Sequence, residues 1–151
     1  MKKAIFMFLA VFSVVAVFSQ NRNDPPDKVR HAFQRQYPQS QPNQWKHTGE
    51  TWNVNFDDKD HNNGESMAHF DRTGRHIDTY IPYDDQDVPG PVMDRMQHRY
   101  PGSDSYEFTR IERGDGHPIF RVHFRVRRKF RTLYVDESGR ERERQYRGRH
   151  Y

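Results

Sequence analysis

Side chains that carry covalent chemistry are sparse in this sequence. It has no Cys. It has no Gly-x-Ser-x-Gly, and its Ser residues sit in turn-like or loop-like segments, so nucleophilic catalysis has no visible carrier. Gly-rich phosphate loops are also missing. Metal chemistry is the more tempting reading. Asp57-Asp58-Lys59-Asp60-His61-Asn62-Asn63-Gly64-Glu65 resembles a calcium loop at first sight. Counted from Asp58, however, the Gly falls at position seven rather than six, and position twelve holds no Glu. The segment reads instead as a polar hairpin loop ending in Asn-Gly. The nine His residues show no His-x-x-x-His pair. His69, His76 and His123 could converge across strands, but they read as ordinary residues of an open sheet face. The expectation is a protein that is not an enzyme and has neither cofactor nor metal.

The residues that stand out bind rather than react. Arg121, His123, Arg125, Arg127, Arg128, Lys129 and Arg131 cluster around one predicted hairpin, and Arg140, Arg142, Arg144, Arg147 and Arg149 follow in the tail. Phe130, Tyr134, Tyr146 and Tyr151 interleave with them. Basic and aromatic interleaving in a cytoplasmic protein would suggest nucleic acid. In an exported one, acidic glycans, anionic surface polymers or acidic protein patches fit better. The alternative is a solvated face that balances acid elsewhere. Residues 20–109 carry 10 basic and 15 acidic side chains, and residues 110–151 carry 13 and 6. An acidic first part is joined to a basic last part.

Positioning these groups requires strands. Trp52, Val54 and Phe56 alternate with Asn53, Asn55 and Asp57. Phe120, Val122, Phe124 and Val126 alternate with Arg121, His123, Arg125 and Arg127. Period two means one buried and one wet face. Before each such strand lies a helical pattern. Val29, Phe33 and Tyr37 fall on one face at i, i+4, i+8, and Val92, Met96 and Tyr100 do the same. Pro25-Pro26 and Pro89/Pro91 precede the helices, and Pro38 and Pro101 stop them. The two stretches match at an offset of 63 residues, and Trp45 and Phe108 keep that offset. Phe70-Asp71-Arg72-Thr73-Gly74-Arg75 matches Val135-Asp136-Glu137-Ser138-Gly139-Arg140. The pattern predicts an α+β protein of two tandem repeats, residues 20–82 and 83–151, each one helix packed on an antiparallel sheet of about four strands. Residues 82–88 read as the linker. In the second unit Arg142, Arg144 and Tyr146 stand where the first has Ile77, Thr79 and Ile81, which predicts a charged edge strand or a partly ordered tail.

The open sheet face is the best binding candidate. Alternation places Met67, His69 and Tyr80 on it from the first unit, and Arg121, His123, Arg125 and Tyr134 from the second. Arg and Tyr offer large contact areas with few torsions to freeze. The competing expectation is that this face packs against the other unit or a second copy.

Residues 1–19 read as an export signal: Lys2 and Lys3, a charge-free apolar run from Ala4 to Phe18, and a cleavage site at Ser19/Gln20. No other stretch is apolar enough to cross a membrane. Without Cys, disulfides cannot support the exported chain, and its buried area must come largely from Phe, Tyr and Trp.

The signal, the duplicated helix ending in Tyr37-Pro38 and Tyr100-Pro101, the following Trp45 and Phe108, and the Ala68-x-Phe70-Asp71-x-x-Gly74 element with its weaker copy Leu133-x-Val135-Asp136-x-x-Gly139 resemble the PepSY-like, β-lactamase-inhibitor-like family of small exported bacterial proteins. That resemblance implies tandem α+β units whose sheets can form one larger surface, a periplasmic or secreted location, and a role in binding or inhibiting other proteins, hydrolases included. The expected partner is an exported or periplasmic protein. The alternative is an anionic polymer or glycan bound by the basic C-terminal part. Nucleic acid is not expected as a partner.

Overall fold

A computed structural model describes residues 24–59 and 64–142. The expected signal, the centre of the acidic loop and the end of the basic tail lie outside the described residues.

The helices form where the apolar spacing demanded. α1 spans Asp27–Gln36 and α2 spans Gly90–Arg99. Each starts after a Pro, at Pro26 and Pro89, whose fixed φ suits a helix start. Each stops one residue before a Tyr-Pro pair, because a residue preceding Pro avoids the helical region. Four strands follow α1: β1 (Pro42–Thr48), β2 (Thr51–Asp57), β3 (Glu65–Asp71) and β4 (His76–Tyr83). A short 3-10 turn, Asp85–Asp87, leads to α2. Then come β5 (Asp104–Arg113), β6 (Ile119–Val126) and β7 (Lys129–Asp136). Among the described residues, no helix is long and apolar enough to cross a membrane.

The expectation of two tandem repeats, each one helix on its own sheet of about four strands, is overturned. All seven strands form one antiparallel sheet in sequence order, β1 to β7. β4 pairs with β5 over six residues, from Asp78↔Arg113 to Tyr83↔Phe108. The segment read as a linker begins inside this ladder, since Pro82 faces Thr109. The physical reason is that β4 would otherwise be a free edge, and a free edge finds a partner. Tyr83 also packs under α2 with Phe120, so the last strand of the first half is part of the core of the second.

Both helices lie on the same face, which the register fixes. One core gathers Val29, Ala32 and Phe33 of α1, Tyr37, and Trp52, Val54, Phe56, Ala68 and Phe70 of the sheet. The other gathers Val92 and Met96 of α2 with Phe108, Phe120, Val122, Phe124 and Val135. Tyr37 meets Phe56 at 4.5 Å between ring centroids, and Tyr100 meets Phe124 at 4.8 Å. Between the cores runs a polar seam. The Tyr37 hydroxyl lies 2.5 Å from Thr79 Oγ1, and His76 Nε2 lies 2.7 Å from the same oxygen. Burial holds the His76 imidazolium disfavoured, and Asp78 and Glu112 only partly offset that.

One turn recurs and supports each helix start. The Asp71 carboxylate accepts from the Thr73 hydroxyl (2.6 Å) and from the backbone N–H groups of Thr73 and Arg75. Asp136 does the same for Ser138 and Arg140. Gly74 has φ +86° and lies against α1, such that a Cβ there would sit 2.6 Å from the Lys28 carbonyl oxygen. Gly139 is placed likewise against Pro91. This is why the Gly of the motif falls where it does.

Two measurements test this turn. Gly74→Ala should cost about 2 kcal/mol or more, combining left-handed strain with a backbone clash; an unchanged thermal midpoint would show that the turn does not abut α1. The second concerns acid. The Thr73 hydroxyl, then the backbone N–H groups of Arg75 and Thr73, outweigh burial and hold Asp71 down at about 2. A carboxyl lowered in the folded state stabilises fully above its unfolded pKa near 4, and that stabilisation is lost as pH falls toward 2. The Asp71 side chain is 23% exposed, so about 1 to 2 kcal/mol is expected after screening. Asp71→Asn should flatten the fall in urea stability over this pH window, and an equally steep fall would refute the assignment.

Candidate functional site: the open face of the sheet

The face opposite the helices is crossed by rows of residues that the register sets side by side. One row runs Asn55, Met67, Tyr80, Ile111, Ile119, Asp136. The next runs Pro82, Thr109, Arg121, Tyr134, and a third holds Glu107, His123 and Thr132. All seven residues expected on this face therefore do lie on it, but they separate into two groups.

Met67, His69, Tyr80, Arg121 and Tyr134 form the central group. The Arg121 guanidinium donates to Thr109 Oγ1 at 3.0 Å and sits 5.5 Å from the centre of the Tyr80 ring. To reach Tyr80 from β6 it must cross β5. Beneath that crossing Ile111 is fully buried and Ile119 is 6% exposed. The open face thus has a small apolar cluster of its own, covered by a fixed cation. A cation over an aromatic ring in such a half-buried place contributes about 1 kcal/mol. Burial, reinforced by Asp78, pushes the Tyr80 phenol up, and Arg121 only partly reverses this, so the hydroxyl stays a neutral donor.

His69 stands at the margin of the group. Its Nδ1 lies 2.5 Å from Oδ1 of Asp78, which is buried, and its ring meets Tyr80 edge-on at 5.5 Å. The carboxylate orients the imidazole. A nucleophile within this arrangement is not found among the described residues, nor is a cluster of three metal-ligating side chains.

His123 and Arg125 belong to the second group, toward the β6–β7 turn. His123 stacks on Phe130 with ring centres 5.1 Å apart and planes 6° apart, and its Nδ1 lies 3.1 Å from Thr132 Oγ1. Arg125 grips Asp104 with two bonds, of 2.8 and 3.0 Å. That pair consumes the Arg125 fork, so it is less available to a ligand than alternation suggested. Arg127 and Arg128 occupy the turn itself, while Lys129 and Arg131 point from β7 toward the helix side. All four are exposed.

The sequence reading of this face left out Asp78, Ile111 and Ile119, and named Phe130 only with the basic cluster. Asp78 lies two residues from Tyr80 in unbroken register, so alternation could have found it; the bulge comes after it, where pairing steps from His69↔Asp78 to Phe70↔His76 and leaves Ile77 over and 38% exposed rather than inward. Ile111 and Ile119 carried a signal that could have been used, because two Ile on a nominally wet face demand a cover. Phe130, which the sequence marked only as an aromatic among the basic residues, is 62% exposed beside His123.

A seven-stranded sheet with two helices on one face and a furnished open face defines a class of small β-rich α+β proteins. Solved structures of that class resemble this chain closely in shape. A BLIP-like protein from Bacteroides fragilis superposes with a TM-score of 0.69 at 18% identity, covering 79% of this chain and 84% of its own. A DUF2874 family protein from Bacteroides uniformis gives 0.68 at 16%, covering 77% and 85%. A Bacteroides eggerthii protein provisionally assigned to the periplasm gives 0.68 at 13%, covering 78% and 86%. No protein-family model and no curated protein matches the sequence. The fold is therefore BLIP-like; the PepSY part of the resemblance is not supported at this level.

Ile111→Ala should destabilise the protein by about 2 to 4 kcal/mol, as a core truncation does. A loss under about 0.5 kcal/mol in urea unfolding, typical of a surface site, would show that the open face has no apolar cluster.

Proposed function

We propose that this protein is a non-enzymatic, extracytoplasmic protein-binding module whose partner seats on the open face around Arg121, and that the partner is an exported hydrolase it inhibits. The observation that carries the reading is the fixed Arg121 over Tyr80, with Met67, His69 and Tyr134 around it. Arg and Tyr held in place before binding lose little entropy on binding, which makes them efficient contact residues. The BLIP-like neighbour supports a protein partner, and the neighbour assigned to the periplasm supports an exported location. The apolar run before Gln20 is in keeping with that location. Reaction chemistry has no carrier on this face beyond the His69–Asp78 pair, and a carboxylate-oriented imidazole without a nucleophile serves better as a directed hydrogen-bond group.

The test is capture from the producing organism's extracytoplasmic fraction, by the wild type and by Arg121→Ala/Tyr134→Ala, with low-salt and high-salt washes. A discrete protein that survives high salt on the wild type should fall at least about 10-fold on the variant, since two interface anchors are removed. Equal retention by the variant would remove the face from the proposal. Capture only of acidic polymer, released by salt, would favour the basic C-terminal part as the binding element.

A further inference from the structure

The β6–β7 turn joins charge with an exposed ring. Val126 pairs with Lys129, so Arg127 and Arg128 alone make the turn. Lys129, Phe130 and Arg131 follow on β7, and all five residues are exposed. Among the described residues none of the four cations enters an ion pair. Beyond Arg142 the sequence adds Arg144, Arg147 and Arg149 against Glu143, so that stretch does not cancel the charge of the turn. Phe130 is 62% exposed, well above Met67 and Ile77 at 36% and 38%. The His123 ring stacks on it with centres 5.1 Å apart and keeps it in that exposed position.

Two further observations concern the turn itself. Arg127 and Arg128 have φ +47° and +63°, so both sit in the left-handed region. A two-residue hairpin turn requires this, and Asn-Gly meets the requirement with little strain, whereas long side chains do not. Strain kept at an exposed tip points to a use for the side chains. The duplication supplies a comparison. The connection at the same place in the first half, from the end of β2, reads Asp57-Asp58-Lys59-Asp60-His61-Asn62-Asn63-Gly64 in sequence. That connection is acidic and closes on Asn-Gly; the β6–β7 turn is basic and lacks it.

We infer that the β6–β7 hairpin docks on an anionic lipid bilayer, a peripheral contact made at one corner of the protein. Arg127 and Arg128 meet the headgroup phosphates first. Lys129 and Arg131 flank them on the helix side, and their flexible stems let the charges reach the same plane. Phe130 enters the boundary between headgroups and acyl chains, where an exposed ring beside cations gains most. A soluble polyanion would use the cations and leave the ring in water, so the ring is what favours the bilayer. The rest of this end of the sheet explains why only a corner docks. Antiparallel order puts Asp57 and Glu65 at the same end, four strands away, or about 19 Å at the usual strand spacing. That exceeds the roughly 8 Å over which charges act at physiological salt, so the acidic side does not oppose the contact. Closer in, Asp104 is neutralised by Arg125, and Glu107 lies further from the turn, opposite His123. This contact does not depend on the row around Arg121, and either surface can fail without the other.

The test uses the chain from Gln20 onward, the expected exported form, which holds every described residue and lacks the apolar run of residues 4–18. Co-sedimentation is measured with vesicles of phosphatidylcholine alone and with vesicles containing about one third phosphatidylglycerol, at physiological salt. The wild type should bind the anionic vesicles at least about 10-fold more tightly. Arg127→Asn/Arg128→Gly should lose about 25-fold, since each cation near a charged surface is worth about 5-fold. That variant suits the turn and should raise the thermal midpoint, so its loss cannot report misfolding. Lys28→Gln/Arg35→Gln removes the same charge from α1 and should lose less than about 3-fold, because screening confines the attraction to nearby charges. Phe130→Ser should lose about 10-fold on anionic vesicles and nothing on a heparin column. Equal binding to both kinds of vesicle, or an equal loss in the α1 variant, would overturn the proposal. So would a Phe130→Ser variant that keeps its vesicle binding, and tight heparin binding alongside it would reassign the turn to soluble polyanions.

Discussion

The backbone ladder between β4 and β5 is the constraint on which the rest depends. Six residue pairs, from Asp78↔Arg113 to Tyr83↔Phe108, join two helix-and-strand halves into one sheet. Without that ladder each half would present a bare edge, and Tyr83 would leave the core beneath α2. With it, the row from Asn55 to Asp136 runs across both halves, and Arg121 of β6 can reach Tyr80 of β4. The central pair of the open face, Arg121 and Tyr80, is thus a product of the joint, since neither half contains both.

Stability is gathered from aromatic packing rather than cross-links. Phe33 is in contact with Tyr37, Trp45, Phe56 and Phe70, all at centroid separations between 5.2 and 6.5 Å. With no Cys available, large rings supply much of the buried area in a chain that is otherwise strongly polar. The Asp-x-Thr/Ser-Gly-Arg turns then fix the helices to the sheet by backbone contact, where a small apolar core alone would let them slide.

Charge is distributed in keeping with this plan. On the open face the β6–β7 side is cationic, while the β2 side offers Asn53 and Asn55 amides. Arg127 and Arg128 occupy the β6–β7 turn, and Lys129, Phe130 and Arg131 follow on β7, all exposed.

The sequence by itself determined the local order. Apolar spacing, Pro positions and the Tyr-Pro stops gave both helices, and alternation gave the faces of β2 and β6, because these signals act within a few residues. It also put Met67, His69, Tyr80, Arg121, His123, Arg125 and Tyr134 on one side, since side-chain period in a strand is fixed at two. Only the tertiary structure decided that there is one sheet of seven strands rather than two of four. Strand pairing across the 3-10 turn and α2 is a non-local choice, made by the need to cover the β4 edge, and no short-range pattern records it. The same non-local pairing buried Ile111 and Ile119, inserted the bulge that exposes Ile77, set Asp78 opposite His69, and tied Arg125 to Asp104. Spacing along the chain cannot foresee such contacts, because each depends on which strands become neighbours.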